Sequence, residues 1–244
     1  MSYKLSKISN LTIGSKISTM PSTITNIDLH YRNIMTVSEI INIDNITYYR
    51  LISDILDNIN YTLSTQALTD LILKEYLTII DDYFINATKI NKLTIGSNIS
   101  TIPVTINNLN DHYLNLMTVI DIIYNDDLII YIIKSNIQDN IIYTLSTELL
   151  RTNIYEGRLT IIDEYFINIL KINELNIGST ISTMPVTINN LNLHYRNLLI
   201  ITEIINIDNI IYYTLESNLS NKTIYILNSE SIKKLILKDC LTIM

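Results

Sequence analysis

Very little in this chain could crosslink it, kink it or turn it tightly. Cys240 is the single cysteine among 244 residues, so no intramolecular disulfide framework is available. Tryptophan is absent, and there are only 4 glycines and 3 prolines. Charged residues make up 17%, with a net charge of −7, which is not the basic excess of a nucleic-acid surface. Lys7, Lys89 and Lys171 recur singly and never cluster. No run reaches the roughly 18 consecutive apolar residues that a membrane helix needs. The best stretch, residues 128–133, follows Asp126 and Asp127 and is broken by Lys134. The opening MSYKLSKISN has no continuous apolar segment of the secretory kind. These absences predict a soluble cytoplasmic protein with neither a nucleic-acid nor a membrane partner.

What the chain does contain is isoleucine, asparagine and tyrosine, within a hydrophobic fraction of 48%. Such a composition fits an AT-rich genome, and it has a physical consequence. Asparagine tolerates left-handed backbone geometry and can stand in for glycine at tight corners. The second positive feature is a period. Gly14, Gly96 and Gly178 lie 82 residues apart, as do Pro21, Pro103 and Pro185, and His30, His112 and His194. Tandem copies follow, at 11–92, 93–174 and, in part, 175–244, with residues 1–10 matching the tail of a preceding copy. A fixed period is the signature of stacked repeats, and it predicts one solenoid domain over 1–244.

Within a copy, short segments alternate apolar and polar residues: Leu11-Thr-Ile13, Ile27-Asp-Leu29, Ile46-Thr-Tyr48, Ile59 to Leu63, and Leu77-Thr-Ile79. Alternation with β-branched and aromatic residues reads as strands. Turn-like clusters separate them, at Gly14-Ser15, Asp57-Asn58 and Asn107-Asn108. Residues 65–71 and 147–153 read as short helices, since Ser or Thr precedes an apolar run. The first two segments are 16 residues apart. That step favours a right-handed parallel β-solenoid of about five coils per copy, with irregular or short helical returns.

The stretch from Leu93 to Leu109, LTIGSNISTIPVTINNL, resembles leucine-rich repeats. It has an alternating strand (Leu93, Ile95), a turn asparagine (Asn98), an apolar-proline pair (Ile102-Pro103) and two further apolar positions (Ile106, Leu109). The phrase is similar to the FNIP-type repeats of amoebae and giant viruses, and to the leucine-rich-repeat genes of insect poxviruses. It covers about 11–34, 93–116 and 175–198. It departs from the family in its short step and in having Lys16 and Thr180 where the turn asparagine belongs. The resemblance implies a curved ladder of parallel strands in a non-catalytic viral protein that binds a host protein.

No acid, base or nucleophile converges in the sequence, so no catalytic, cofactor or metal site is expected. Five strand spacings of about 4.8 Å would keep equivalent histidines roughly 24 Å apart, too far to share one metal. The acid pairs Asp81-Asp82 and Asp163-Glu164 read as solvated turns, with a weak calcium site as the alternative. In the adjacent tyrosines Tyr48-Tyr49 and Tyr212-Tyr213, one ring should face the core and the other outward, where tyrosine favours protein contacts. The outward strand positions Thr12, Asp28, His30, Thr94, Asn110, His112, Asn176, Asn192 and His194 form the expected partner-contact face. The competing expectation is end-to-end self-association through uncapped solenoid ends.

Overall fold

The computed structural model describes residues 7–53, 59–125, 128–137, 141–218 and 223–244. The strands are β1 (Lys16–Ser18), β2 (Ile34–Ile43), β3 (Ile46–Ser53), β4 (Asn60–Ser64) and β5 (Thr78–Ile80) in the first copy. In the second copy they are β6 (Asn98–Ser100), β7 (Leu116–Asn125), β8 (Leu128–Ser135), β9 (Ile142–Ser146) and β10 (Thr160–Ile162). In the third they are β11 (Thr180–Ser182), β12 (Leu198–Ile207), β13 (Ile210–Ser217), β14 (Ile224–Asn228) and β15 (Thr242–Ile243). Each set makes its own five-stranded sheet, in the orders β4-β3-β2-β1-β5, β10-β6-β7-β8-β9 and β14-β13-β12-β11-β15.

This overturns the parallel solenoid, and with it the fold that the leucine-rich-repeat resemblance implies. The pairings are antiparallel, including β1 with β2, β2 with β3, β3 with β4 and β1 with β5. The 82-residue period is real, but each copy carries a separate antiparallel sheet instead of a run of coils. The chain also divides into two compact units, where a single solenoid domain is expected. One is Met1–Ile106 with Leu114–Ile161, and the other is Asn107–Tyr113 with Ile162–Met244.

The apparent 16-residue step has a simple origin. Leu11 and Ile13 lie in a turn, and Ile27–Leu29 fall in the short helix α1 (Ile27–Tyr31), whose first turn Asn26 caps. Three-residue alternation cannot separate a strand from a turn or a helical start. The hairpins follow from chemistry that asparagine supplies. Ile43 pairs with Ile46 across a two-residue loop, and Asp44 and Asn45 have φ of 51° and 62°. Asp208 and Asn209 repeat this with 51° and 64°. Two left-handed residues in succession make the turn whose twist suits an antiparallel hairpin. The equivalent Asp126-Asp127 and the expected turn at Asp57-Asn58 lie outside the described residues. Gly14, Gly96 and Gly178 all sit at φ 92°, and a Cβ there would meet nothing within 4 Å. Glycine is needed for the backbone angle, not to relieve crowding.

The two expected helices are present. They are α2 (Thr65–Leu73) and, after α3 (Asp82–Ala87) and α4 (Leu109–Tyr113), α5 (Thr147–Tyr155). After α6 (Glu164–Leu170) and α7 (Leu191–Arg196), the third copy has α8 (Ser229–Leu237). Ser64, Ser146 and Asn228 cap these three long helices by accepting from Ala67, Leu149 and Ser231 N–H. At the other end Tyr76 N–H reaches the Leu71 carbonyl (2.9 Å) and Glu75 N–H reaches Ile72 (3.1 Å), with Glu75 at φ 60°. That is a Schellman stop, and Gly157 and Asp239 hold the same left-handed position. Each helix buries an i, i+4 pair against its sheet: Leu68 and Ile72, Leu150 and Ile154, Ile232 and Ile236. In the first copy this pair shares a core with Val37, Tyr49 and Leu51. In the third it shares one with Ile201, Tyr213 and Leu215. Each fully buried aliphatic side chain contributes about 1.5–3 kcal/mol.

The short helices α3 and α6 close each copy in sequence but dock on the sheet of the next. Asp81 and Asp163 cap them, accepting from Phe84 and Phe166 N–H at 2.8 Å. In the first unit Asn86, 1% exposed, donates from Nδ2 to the Ile161 carbonyl (3.0 Å) and accepts Ile161 N–H on Oδ1 (2.9 Å). Ile161 is the middle residue of edge strand β10, so one side-chain amide takes the place of a sixth strand. In the second unit Asn168 Oδ1 accepts Ile243 N–H (2.6 Å), and Lys171 Nζ donates to the Ile243 carbonyl (3.3 Å). Replacing Asn86 by alanine leaves both backbone groups of Ile161 buried and unpaired. It should cost about 2 kcal/mol, read as a lower urea midpoint together with faster amide exchange at Ile161. An unchanged midpoint would show that water replaces the amide at no cost.

Candidate functional site

The nine positions expected to form a contact face fall into three different settings. Thr12, Thr94 and Asn176 are exposed, but they sit in the turn before the first strand. Their N–H groups donate to Ser15, Ser97 and Ser179 Oγ at 2.9, 2.9 and 3.0 Å. Asp28, Asn110 and Asn192 lie in the first turns of α1, α4 and α7, where their N–H groups donate to Asn26, Asn108 and Asn190. His30, His112 and His194 are 0%, 0% and 3% exposed, so the expectation of surface histidines is wrong for all three.

Their burial has a structural cause. Pro21 begins a turn in which Ile24 N–H returns to the Pro21 carbonyl (3.0 Å). His30 Nε2 then lies 2.8 Å from the Ile24 carbonyl. A carbonyl only accepts, so Nε2 carries the proton. His194 repeats the contact on Ile188 at 2.7 Å, and its Nδ1 lies 2.9 Å from Ser182 Oγ. The outer face of the ring meets an aromatic edge. His30 meets Phe84 with centroids 4.8 Å apart at 72°, and His112 meets Phe166 at 5.0 Å and 76°. Burial holds the His30 imidazole below its ordinary value near 6.5, against a smaller opposing effect of the Ile24 hydrogen bond. His30 and His194 therefore clamp the proline turns of their copies. Each of the three histidines sits on the buried side of a helix only five or six residues long.

The remaining polar features are also structural. Asp81 is an N-cap and pairs with Lys7 at 2.6 Å, and Lys7 lies over the Tyr83 ring, 3.6 Å from its centroid. Lys7 and Asp81 are also the charged side chains lining a small cleft of about 30 Å³, which is otherwise walled largely by Ile72, Leu77, Ile79, Phe84 and Tyr155. The Tyr165 hydroxyl is pushed up to about 12, first by burial and then by the Asp239 carboxylate. It stays protonated, as a donor. Among the described residues, no group of three or more His, Cys, Asp or Glu is placed to hold a metal ion. Nor is any helix there long and apolar enough to cross a membrane.

A feature that sequence reading missed is a repeated apolar patch on the outer face of the long hairpins. Tyr49, Tyr131 and Tyr213 point inward, 6%, 2% and 3% exposed, with their hydroxyls on the carbonyls of Ile8, Ile90 and Ile172. Tyr48 and Tyr212 therefore point out, as the adjacent-tyrosine pattern suggests. Their outward partners are Ile41 and Ile205, and in the second sheet Ile123 faces Ile130. Beyond them lie Ile43 with Ile46, and Ile207 with Ile210. Ile46, Leu128 and Ile210 are 46%, 44% and 45% exposed. A bulge between Val37 and Glu39, repeated at Val119/Asp121 and Ile201/Glu203, reverses which residues face out. A period-2 reading carried through the strand cannot see that reversal.

The chain matches no protein-family model and no curated protein.

The burial of His30 sets a direction for acid. The unfolded chain takes up a proton near 6.5 and the folded chain only at lower pH. Protonation therefore favours unfolding, and stability that is complete above 6.5 should decline as pH falls through that value. His30→Gln keeps an N–H for the Ile24 carbonyl and removes the titration. Melting temperatures followed from about pH 7.5 to 5.5 should fall more steeply for the natural chain than for the variant. Parallel curves would remove His30 from the acid response.

Proposed function

We propose that this protein is a non-catalytic scaffold that binds another protein through the outer faces of its β-hairpins. The observation that carries the reading is the patch just described. An isoleucine or leucine stands at the same half-exposed hairpin position in all three sheets, flanked by further outward aliphatic or tyrosine residues. Exposed apolar residues scattered singly are ordinary, whereas a cluster kept on the same face of every copy marks an interaction surface. Aromatic anchors such as Tyr48 and Tyr212 suit such a surface. The buried histidines, the capping aspartates and the protonated Tyr165 all have structural work, which supports the non-catalytic part of the reading.

The test is comparative capture from a cell lysate, using the natural chain and the triple variant Ile46→Glu, Leu128→Glu, Ile210→Glu. All three positions are surface ones, so the variant should melt like the natural chain. Loss of central apolar anchors should lower recovery of a specific partner by about tenfold or more. Equal recovery by both chains would overturn this face as the binding site.

A further inference from the structure

We propose that edge strand β14 (Ile224–Asn228) pairs antiparallel with the same strand of a second copy, giving a two-fold dimer in which two five-stranded sheets join edge to edge. The starting point is backbone chemistry. β14 is the end strand of its sheet, bonded on one side to β13. Ser217 N–H donates to the Thr223 carbonyl at 2.9 Å, and the register then runs without interruption from Glu216 opposite Ile224 to Tyr212 opposite Asn228. In an antiparallel ladder, inward and outward hydrogen-bonding residues alternate. The peptide groups of Tyr225 thus turn toward β13, and those of Ile224 and Ile226 turn toward the open edge. Another strand is the partner that satisfies such a row.

The three copies show why this edge in particular should pair. The inner tyrosine is kept as Tyr61, Tyr143 and Tyr225, at 48%, 41% and 45% exposure. The outer positions differ. They are Asn60 and Thr62 in the first sheet, Ile142 and Thr144 in the second, and Ile224 and Ile226 in the third. The outward positions on β3 opposite Thr62 and Asn60 are Arg50, paired with Glu39, and Ile52; opposite Ile226 and Ile224 on β13 they are Thr214 and Glu216. Natural edges are protected by charge or proline. β14 has neither, and Ile224 and Ile226 are 63% and 67% exposed. A two-fold axis through Ile226 lets the two Ile226 residues exchange N–H to carbonyl bonds and cover each other. It also sets Tyr225 beside Leu227 of the second copy, so no charge from β14 is buried. A self-complementary patch of this kind produces a closed dimer, not a fibre.

Sedimentation of the full chain up to about 100 μM should show a monomer–dimer equilibrium. Ile226→Thr restores the residue that the other two sheets tolerate, and it should weaken association by about tenfold or more. Ile226→Pro removes an outward N–H without touching the ladder to β13, and it should give a monomer. A natural chain that stays monomeric throughout, or a dimer indifferent to both substitutions, would overturn the proposal. The hairpin triple variant keeps β14 intact and should dimerise normally, so this result and the protein-binding reading stand or fall separately.

Discussion

The fourth strand of each sheet ends at one edge and the fifth pairs at the other, so the chain between them must cross the sheet. It crosses as a helix. Residues 65–73, 147–155 and 229–237 are each capped at the start by Ser or Asn and stopped by a left-handed residue. The i, i+4 aliphatic pair on each helix covers the inner sheet face, where Tyr49, Tyr131 and Tyr213 are buried. The rest follows from that crossing. One face is used up by the helix, and the other is left to display whatever the strands carry.

The edges are treated unequally for a related reason. Edge strands β10 and β15 receive an asparagine from the helix that closes the preceding copy, and β10 has both backbone groups of its central residue satisfied. Folding modules therefore straddle the sequence copies, running from the capped helix at 82–87 to the strand at 160–162, and again from 164–170 to 242–243. A duplication boundary drawn on sequence similarity has no obligation to coincide with a folding boundary, because similarity is unaffected by where a period is cut.

Recurrence also has a different meaning at different positions. The histidines recur in buried sites, where His30 and His194 clamp proline turns, and the glycines recur because each holds φ 92°. Those residues answer to the fold. The outward isoleucines recur at positions where the fold asks for nothing apolar. The surface reading rests on that distinction, and it could be drawn only after burial was known.

The 82-residue period, the helices expected at 65–71 and 147–153, and the use of asparagine at tight turns were all legible, because caps, turn preferences and copying act locally along the chain. The alternation of inward and outward rings in Tyr48-Tyr49 and Tyr212-Tyr213 was legible for the same reason. Strand direction was not, since three-residue alternations look alike in a turn at 11–13, a helix at 27–29 and a strand at 46–48. Nor were the bulges that reverse the faces beyond Val37, Val119 and Ile201. Local chemistry alone determined where this chain turns and how often it repeats. Which strands pair, which face the helix covers and which isoleucines are left outside depend on contacts between distant residues, and only the tertiary structure decided them.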